Sequence, residues 1–368
     1  MTTRRDILQW LPALVAAPQV MAAEAVAPVR PATRKRLDIL FLGGTGFLGP
    51  HQVRYALERG HRVTLFNRGR SAPGLFGPEV EVLLGNRDAR LDPGLTALQG
   101  TRRWDVVIDN SGYVPRHVHD SIDVLQQRCD RYVFVSTVAV YEPALDGRRI
   151  GESAPLRPAP QPSTETISGE TYGALKAECD RAVQARLGSR ATIVRPTFVV
   201  GPGDDTDRFT YWVERLARGG EVLAPPDPDA RLQWVDVRDL CPWTVELAER
   251  NVSGIFNAAG PPMRWREVLQ QLATLSSQPV DLRWATPEVL QRADVDLPLV
   301  RSTARGVASL NFDGTQAQAS GLIYRPLADT ATATLDWWRS QPADRRAHPE
   351  GWPTEAQERE ALRLLRTS

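Results

Sequence analysis

Cysteine is scarce in this sequence, and neither sign of charge predominates. The 368 residues include three cysteines, Cys129, Cys179 and Cys241, which lie far apart and form no Cys-x-x-Cys or metal-like spacing. An odd number of widely spaced cysteines excludes a disulfide framework, so we expect buried thiols and no metal site. The formal net charge of +1 provides no overall field that would attract nucleic acid or an anionic membrane. No apolar segment is long enough to form a permanent membrane span.

The N-terminal residues 1–36 carry a pattern typical of an export signal. Arg4 and Arg5 precede an apolar stretch at residues 8–20, and small residues follow at 22–23. This order resembles a twin-arginine signal followed by a short linker. We therefore expect a periplasmic protein exported by this route, and a cytoplasmic protein if the segment is only a basic leader.

Short apolar runs alternate with helical patterns from residue 37 onward. The first run, LDILFL at 37–42, is mainly apolar and is followed at once by glycines, as in a central parallel strand buried on both faces. Strands that alternate with helices predict a doubly wound, Rossmann-type α/β sheet, which binds ligands at the carboxyl ends of its strands. The later runs span residues 63–66, 80–84, 104–108, 132–135 and 191–194.

The order of these patterns predicts four regions. The sheet of the second region is expected to regain a strand from near residues 254–258. A long, proline-rich stretch at 142–168 is predicted to form a lid over the site. In chain order the regions are an export signal and linker (1–36), a Rossmann dinucleotide-binding domain (37–204), a smaller tryptophan-rich substrate-binding lobe (205–345) and a helical C-terminal tail (346–368).

The sequence GGTGFLG at 43–49 links the first predicted strand to the first helix. Its glycines fit both the G-x-G-x-x-G spacing and the related G-x-x-G-x-x-G spacing. Such a loop permits a tight turn, brings backbone against a pyrophosphate and presents a helix N-terminus to the phosphates. Its position directly after an apolar strand indicates a dinucleotide site. The predicted cofactor contacts in it are Gly43, Gly44, Gly46, Phe47, Leu48 and Gly49.

Residues at the ends of later strands bear on which dinucleotide binds. The second strand ends in Asn67 and Arg68, where an NAD enzyme usually has an acidic residue that hydrogen-bonds the ribose. Asparagine does not repel a 2′-phosphate and a guanidinium pairs with one. NAD and NADP therefore both remain candidate cofactors, and NADP is slightly favoured. Asn86 and Arg87 follow the third strand, where we expect Asn86 to contact adenine, and Asn110 follows the fourth strand beside the nicotinamide ribose.

Tyr172 and Lys176 lie four residues apart in a predicted helix at 169–187, so both project from one face. A lysine ammonium beside a phenol lowers the pKa of that phenol, and we therefore expect Tyr172 to act as a general acid and base. Thr137 ends the strand RYVFVST, in a position to hydrogen-bond the same substrate oxygen. These three residues form the predicted catalytic set.

These motifs resemble the extended short-chain dehydrogenase/reductase superfamily, and within it the NAD-dependent epimerase/dehydratase family. The resemblance implies that Thr137 holds the substrate oxygen, that Tyr172 exchanges the hydroxyl proton and that Lys176 also binds the nicotinamide ribose. Asn67 departs from the acidic residue usual in the family, and Glu142 replaces the glycine common after Val-Tyr. The matching segments, spread over residues 37–338, are GGTGFLG (43–49), VSTVAVYE (135–142), Tyr172-x-x-x-Lys176, RPTFVVGPGD (195–204), WVDVRDL (234–240) and IFNAAG (255–260).

Three functions fit these features. The first is hydride transfer at a secondary alcohol or ketone of a carbohydrate-like substrate, with the cofactor tightly retained as in an epimerase. The second is reduction of a non-sugar ketone with free NADP(H), and the third is a non-catalytic nucleotide- or RNA-binding role. The complete catalytic set favours an enzyme, and export to a compartment poor in free cofactor favours the first function. We expect a small-molecule substrate, no nucleic acid partner, and a monomer or homodimer.

Overall fold

The computed structural model describes residues 35–142, 147–303 and 306–367. The chain from Arg36 onward forms one compact unit. The predicted export signal, with Arg4 and Arg5, lies outside the described residues and stays a prediction. Within the described ranges, no helix combines the length and the apolar character needed to cross a membrane.

A seven-stranded parallel sheet forms the centre of this unit. The strands of the described residues are β1 (Asp38–Leu42), β2 (Arg62–Asn67), β3 (Val80–Leu84), β4 (Trp104–Asp109), β5 (Cys129–Val135), β6 (Ala191–Pro196), β7 (Phe198–Val200), β8 (Gly220–Ala224), β9 (Arg231–Leu232), β10 (Trp234–Asp236), β11 (Gly254–Ala258), β12 (Met263–Arg264), β13 (Val280–Trp284), β14 (Ser302–Thr303) and β15 (Gly306–Val307). The central sheet has the order β3-β2-β1-β4-β5-β6-β11, and the direction of winding reverses between β1 and β4. This order confirms the predicted doubly wound, Rossmann-type fold, and β11 is the predicted returning strand.

Helices cover both faces of the central sheet and build much of the C-terminal part. Residues of α1 and α5 belong to the apolar cluster on one face, and residues of α2 and α3 to the cluster on the other. The helices of the described residues are α1 (Leu48–Glu58), α2 (Pro115–Leu125), α3 (Tyr172–Leu187), α4 (Arg208–Arg218), α5 (Val237–Glu249), α6 (Trp265–Ala273), α7 (Pro287–Arg292), α8 (Thr315–Ala319), α9 (Leu327–Ser340), α10 (Ala343–Ala347) and α11 (Glu355–Thr367).

The first strand is buried because its side chains alternate between these two helix layers. Ile39 and Phe41 belong to the cluster that includes α1 and α5, whereas Leu40 and Leu42 belong to the cluster that includes α2 and α3. Cys179 lies in the second cluster, and all three cysteines are buried and free, as predicted. Burial on both faces explains why the sequence of β1 is a nearly continuous apolar run and does not alternate between apolar and polar residues.

The residues after Gly203 pack around a separate apolar cluster. Trp212 and Trp265 are fully buried there, with ring centroids 5.1 Å apart. The sequence predicted helices and one returning strand in this part, but the structure adds the short strand pairs β7–β10, β8–β13, β9–β12 and β14–β15. Six of these strands have only two or three residues, too few for an alternating pattern to be distinguished from a loop, whereas β8 and β13 have five residues each and were not recognised.

The segment between β5 and α3 joins the two parts of the unit. Ile150 pairs with the C-terminal part, since its N–H donates to Asn311 O and its carbonyl accepts from Asp313 N, each at 2.8 Å. Arg157 N donates to Val140 O at 2.8 Å, close to the end of β5. The described part of this segment, predicted to be a lid, therefore lies beside the end of β5, and its role as a lid stays a prediction.

Candidate active site

The loop that follows β1 turns sharply into α1. Gly43 and Gly44 have φ angles of +102° and +111°, a region that residues with a side chain rarely adopt. The helix begins at Leu48 after Phe47, and no side chain caps its first turn. The N–H groups of that turn are therefore open donors at the positive end of the helix, where a phosphate is stabilised.

Two further glycines of this loop serve different purposes. A Cβ on Gly49 would lie 2.3 Å from the Cα of Gly44, so α1 packs directly on the loop backbone. A Cβ on Gly46 would meet nothing within 4 Å, although this residue lines the main cleft. The loop thus combines close packing on one side with a backbone cradle on the other, and that cradle fits a pyrophosphate.

Asn110, just beyond β4, presents an unused acceptor to the same cleft. Its Nδ2 donates to Gln52 Oε1 at 2.7 Å, whereas its Oδ1 is buried and has no hydrogen-bond partner among the described residues. A buried acceptor without a partner costs free energy, and that cost is removed when a ligand donates to it. Asn110 Oδ1 therefore fits a hydroxyl group of a bound ligand.

Arg87, a predicted cofactor contact, forms a buried ion pair with Asp109. Its Nη1 and Nη2 donate to the Asp109 carboxylate at 2.6 and 3.0 Å, and the Tyr132 hydroxyl donates to the same carboxylate at 2.7 Å. Burial by itself would raise the pKa of Asp109, but the Arg87 charge together with the hydrogen bonds from Arg87, Tyr132 and Ser111 N outweighs it and holds that pKa below its ordinary value. Arg87 is not among the residues that line the cleft, and its pair ties the end of β3 to β4.

Asn67, Arg68 and Asn86 lie at the ends of β2 and β3, outside the set of residues that line the cleft. Asn67 Oδ1 accepts from Gly69 N at 2.8 Å, and Asn86 Oδ1 accepts from Asp88 N at 3.0 Å. Arg68 is exposed, and its guanidinium has no hydrogen bond or ion pair within the part of the chain that the structure describes. This guanidinium is accessible to a phosphate.

Thr137, Tyr172 and Lys176 come together beyond the carboxyl end of β5. Thr137 caps the short 3₁₀ helix Val138–Val140, with its Oγ1 accepting from Ala139 N at 3.1 Å. Tyr172 is the first residue of α3, which begins there and not at residue 169 as predicted. Lys176 lies one turn further on, and all three residues line the same cleft.

The Lys176 ammonium is buried and linked to two strand ends. Its Nζ donates to Gly112 O, beyond β4, and to Val135 O, at the end of β5, both at 2.8 Å. The same atom lies 4.2 Å from the ring centroid of Phe134. Burial lowers the pKa of Lys176. The Lys176 side chain therefore links the ends of β4 and β5 beneath the cleft.

The phenol of Tyr172 is a proton donor at neutral pH. Burial raises its pKa to about 12, the nearby Tyr113 acts in the same direction, and a hydrogen bond with Thr137 acts against them. The ring centroids of the two tyrosines are 6.3 Å apart. The prediction that the pKa of Tyr172 is lowered is wrong, because burial raises it. The Lys176 ammonium donates to two carbonyl oxygens.

The glycine loop, Asn110 and the three predicted catalytic residues border one cleft of about 610 Å³, a volume suited to a small-molecule ligand. The cleft joins the glycine loop, the ends of β4 and β5 and the start of α3. Over the described ranges, no cluster of His, Cys, Asp and Glu is arranged to hold a metal ion. The predicted site residues that line it are Gly43, Gly44, Gly46, Phe47, Leu48, Gly49, Asn110, Thr137, Tyr172 and Lys176.

Sequence reasoning missed several polar residues of this cleft. Tyr113 lies four residues after the end of β4, and Asp204 lies four residues after the end of β7, so the position in a loop after a strand was an available signal for both. Arg157 and Arg301 lie in irregular segments that carry no periodic pattern. Only folding brings these segments to the same cavity, together with Arg208 at the start of α4.

A sequence profile of a known protein family matches more than half of the chain. The profile is described as the NAD dependent epimerase/dehydratase family, and it covers residues 39–259. This range contains the glycine loop and the three predicted catalytic residues.

Two curated proteins are similar to the chain at 25% identity. The chloroplast stem-loop binding protein of 41 kDa b from Arabidopsis thaliana matches over 240 residues, which are 60% of this chain and 58% of that protein. The chain thus spans less than two thirds of that relative. The ceramide reductase of Caulobacter vibrioides matches over 338 residues, which are 84% of this chain and 96% of that protein.

The fold is also similar to solved structures of epimerases. The UDP-glucose 4-epimerase of Thermus thermophilus, solved in complex with NAD, superposes with a TM-score of 0.59 at 20% identity and covers 83% of this chain and 99% of its own. At this level of identity the similarity shows that the two chains share a fold.

Proposed function

The chain belongs to the NAD-dependent epimerase/dehydratase family, and we propose that it transfers hydride at a secondary alcohol or ketone of a carbohydrate-like substrate. One observation carries the proposal: the glycine loop, Thr137, Tyr172 and Lys176 line a single cleft. A cofactor cradle and a proton donor are thereby held in one cavity. Hydride transfer at a carbon, coupled to proton transfer at the oxygen that it bears, requires this arrangement.

The residues present fit a nicotinamide dinucleotide. The loop at 43–49 and the uncapped first turn of α1 would hold its phosphates. Asn110 Oδ1, which has no partner in the described part of the chain, would accept from a ribose hydroxyl. Lys176 uses two of its three N–H groups on carbonyl oxygens, so one is left for the ribose. When bound, the cofactor supplies the group that takes up or returns a hydride.

Tyr172 would move the proton at the substrate oxygen. Its raised pKa of about 12 keeps the phenol protonated at neutral pH, so it donates readily when a ketone is reduced. In the direction of alcohol oxidation the phenol must first lose its proton, so a higher pH favours that direction. Thr137 Oγ1 accepts from Ala139 N, and its one O–H, which hydrogen-bonds the Tyr172 phenol, would donate to the same substrate oxygen when substrate binds.

We propose the redox-neutral form of this reaction, in which the cofactor stays bound while the substrate is oxidised and reduced again. The support is the twin-arginine pattern at Arg4 and Arg5, because that route carries folded proteins to a compartment with little free cofactor. The test is to purify the mature protein without added cofactor and to identify any bound small molecule by mass and absorbance. A protein that carries no nicotinamide and exchanges it at millimolar affinity contradicts this form.

Export itself is tested by cell fractionation. Replacing Arg4 and Arg5 by lysine should leave the full-length protein in the cytoplasm, whereas the unchanged protein should reach the periplasm in a shortened form. Equal distribution of the two proteins would remove the argument for a retained cofactor and leave hydride transfer unaffected.

A second candidate is a reductase that turns over free NADP(H) on a non-sugar ketone. It is favoured by the exposed Arg68, which has no ion-pair partner among the described residues, and by the similarity to a ceramide reductase along 84% of this chain. The two candidates differ in cofactor exchange. Stoichiometric consumption of added NADPH with a ketone supports the reductase, and interconversion of substrate and product without net cofactor change supports the redox-neutral enzyme.

A further inference from the structure

A segment between β5 and α3 leads away from the cleft and returns to it. We call residues 158–171 of this segment the strap. Its C-terminal end lies at the cleft, because Gly169 lines the cleft and Tyr172 begins α3 directly after the strap. Its N-terminal end adjoins Arg157, whose Nε donates to Ala139 O at 2.9 Å. Both ends of the strap are therefore anchored beside the predicted catalytic residues.

The middle of the strap is held by one side chain, Glu165. Arg116, at the start of α2, donates to both of its carboxylate oxygens, from Nε at 2.7 Å and from Nη2 at 3.0 Å. Arg90, in the loop after β3, donates from Nη2 to the same carboxylate at 2.8 Å. Among the described residues, 158–167 form no other hydrogen bond or ion pair outside the strap. We call these pairs of Glu165 the latch.

Asp88 joins the two arginines of the latch. Arg116 Nη1 donates to Asp88 Oδ1 at 2.8 Å, and Arg90 Nε donates to the same oxygen at 3.2 Å. Pairing with Arg116 lowers the pKa of Glu165 to about 2, so the latch is charged throughout the neutral range. The side chains of Glu165 and Arg90 are nevertheless 43% and 63% exposed. Exposed ion pairs are individually weak and are screened by salt, so this latch can open reversibly.

The strap extends along the expected position of the dinucleotide. Asp88, at the latch, lies two residues after Asn86, the predicted adenine contact. Between them, Arg87 Nη1 donates at 3.0 Å to the Oγ of Ser111, which lines the cleft. The nicotinamide end is expected at Tyr172, where the proton is transferred. The strap thus has its two ends at the nicotinamide end of the site and its latch at the adenine end.

The composition of the strap favours movement as one piece. Pro158, Pro160 and Pro162 restrict the backbone of its first half, so opening the latch releases a stiff segment and not a floppy one. We propose that the strap gates the cofactor site and that the Glu165 latch sets how fast a bound nicotinamide dinucleotide leaves. The inference rests on the proposed function, because it requires a dinucleotide in the cleft.

Cofactor release provides the first test. Protein loaded with NADH or NADPH is mixed with an excess of the oxidised form in a stopped-flow instrument, and the loss of fluorescence gives the dissociation rate. Glu165→Gln removes the charge that both arginines bind, so release should become about three- to tenfold faster, as expected for the loss of two exposed ion pairs. Arg116→Gln should accelerate release at least as much. The matched control, Glu170→Gln, removes another exposed carboxylate of the strap and should leave the rate unchanged.

Salt and hydrogen exchange test the latch itself. Raising the ionic strength to about 0.5 M should accelerate release from the unchanged protein toward the rate of Glu165→Gln, and it should affect that variant less. Backbone N–H groups of the strap should exchange with deuterated water faster in Glu165→Gln than in the unchanged protein or in Glu170→Gln. Exchange in the central sheet should be the same in all three proteins.

Two results would overturn the inference. If the strap of Glu165→Gln exchanges no faster than that of the unchanged protein, the latch does not hold the strap. If it exchanges faster while cofactor release keeps its rate, the strap does not gate the site. Both results leave the proposed hydride transfer unaffected. Conversely, fast release from the unchanged protein that is faster still in Glu165→Gln supports the latch and contradicts only the retained cofactor.

Discussion

Replacing Tyr172 by phenylalanine removes one oxygen atom from the cleft and keeps the ring. The lost group is the phenol whose pKa is raised to about 12 and which hydrogen-bonds to Thr137. No residue of the glycine loop is changed, and Lys176 keeps its bonds to Gly112 O and Val135 O. The substitution therefore separates proton transfer from cofactor binding and from the integrity of the fold.

The size of the effect follows from what the phenol does. Positioned general acid–base catalysis contributes roughly 10²–10⁴-fold to the rate, so we expect a loss of about 3–5 kcal/mol of transition-state stabilisation. Removing one hydrogen bond in a partly buried position costs only about 1 kcal/mol of folding free energy. Turnover of Tyr172→Phe should thus fall by orders of magnitude, while the melting temperature and the cofactor affinity stay close to those of the unchanged protein.

The assay follows the nicotinamide absorbance when substrate is added to the cofactor-loaded protein over a range of pH. In the unchanged enzyme, alcohol oxidation should become faster with rising pH, because the base is the ionised phenol and its pKa lies far above neutrality. Ketone reduction should stay constant through neutral pH, because the acid is already protonated. The phenylalanine variant should lose this dependence on pH along with the rate.

Tyr113→Phe is the matched control. It removes the phenol of the neighbouring tyrosine, whose ring centroid lies 6.3 Å from that of Tyr172, and it should retain activity within about threefold. The catalytic assignment is refuted if Tyr172→Phe keeps its turnover, or if Tyr113→Phe loses as much activity as Tyr172→Phe does.

Other substitutions test the surroundings of the cleft. Gly49→Ala should lower stability by about 1–3 kcal/mol, because its Cβ would overlap the loop backbone, whereas Gly46→Ala should leave the melting temperature unchanged and weaken cofactor binding measured by calorimetry. Asp109→Asn breaks a buried ion pair and should cost about 3–5 kcal/mol in denaturant unfolding. Asp130→Asn breaks an exposed pair and should cost under about 1 kcal/mol. Arg68→Gln should weaken NADP binding more than NAD binding, as measured by the ratio of their dissociation constants.

Each of these expectations has a contrary result. Normal cofactor affinity in Gly46→Ala would show that the open side of the loop does not face the phosphates. Equal losses of stability in Asp109→Asn and Asp130→Asn would show that burial does not govern the strength of these pairs. Proportional weakening of NAD and NADP in Arg68→Gln would remove the argument for a 2′-phosphate contact.

The sequence located the glycine loop and the three predicted catalytic residues of the cleft because the signals for them are local. The glycine loop is recognisable from its spacing after an apolar strand, and the tyrosine–lysine pair from its spacing of one helical turn. The end of β5 is marked by Thr137, and the end of β4 by Asn110. In a parallel sheet the carboxyl ends of neighbouring strands lie together, so these local marks also predicted a shared site.

Contacts between segments distant in the sequence were beyond such reasoning. Arg87 follows a strand end, where a ligand contact was expected, yet it pairs with Asp109, which lies 22 residues further along the chain. Lys176 was expected to act on Tyr172, but its N–H groups go to carbonyl oxygens of two other segments. Arg157 lies in an irregular segment, and only its contact with Ala139 O shows that it belongs to the cleft.

The sequence by itself determined the alternating strands and helices, the glycine loop and the spacing of Tyr172 and Lys176, because each depends on a local period or on the conformation of a few residues. Only the tertiary structure decided the charges that face the cleft and the pKa values of its groups. Burial and ion pairing arise from contacts across the chain, and they make Tyr172 a proton donor and hold the pKa of Asp109 below its ordinary value.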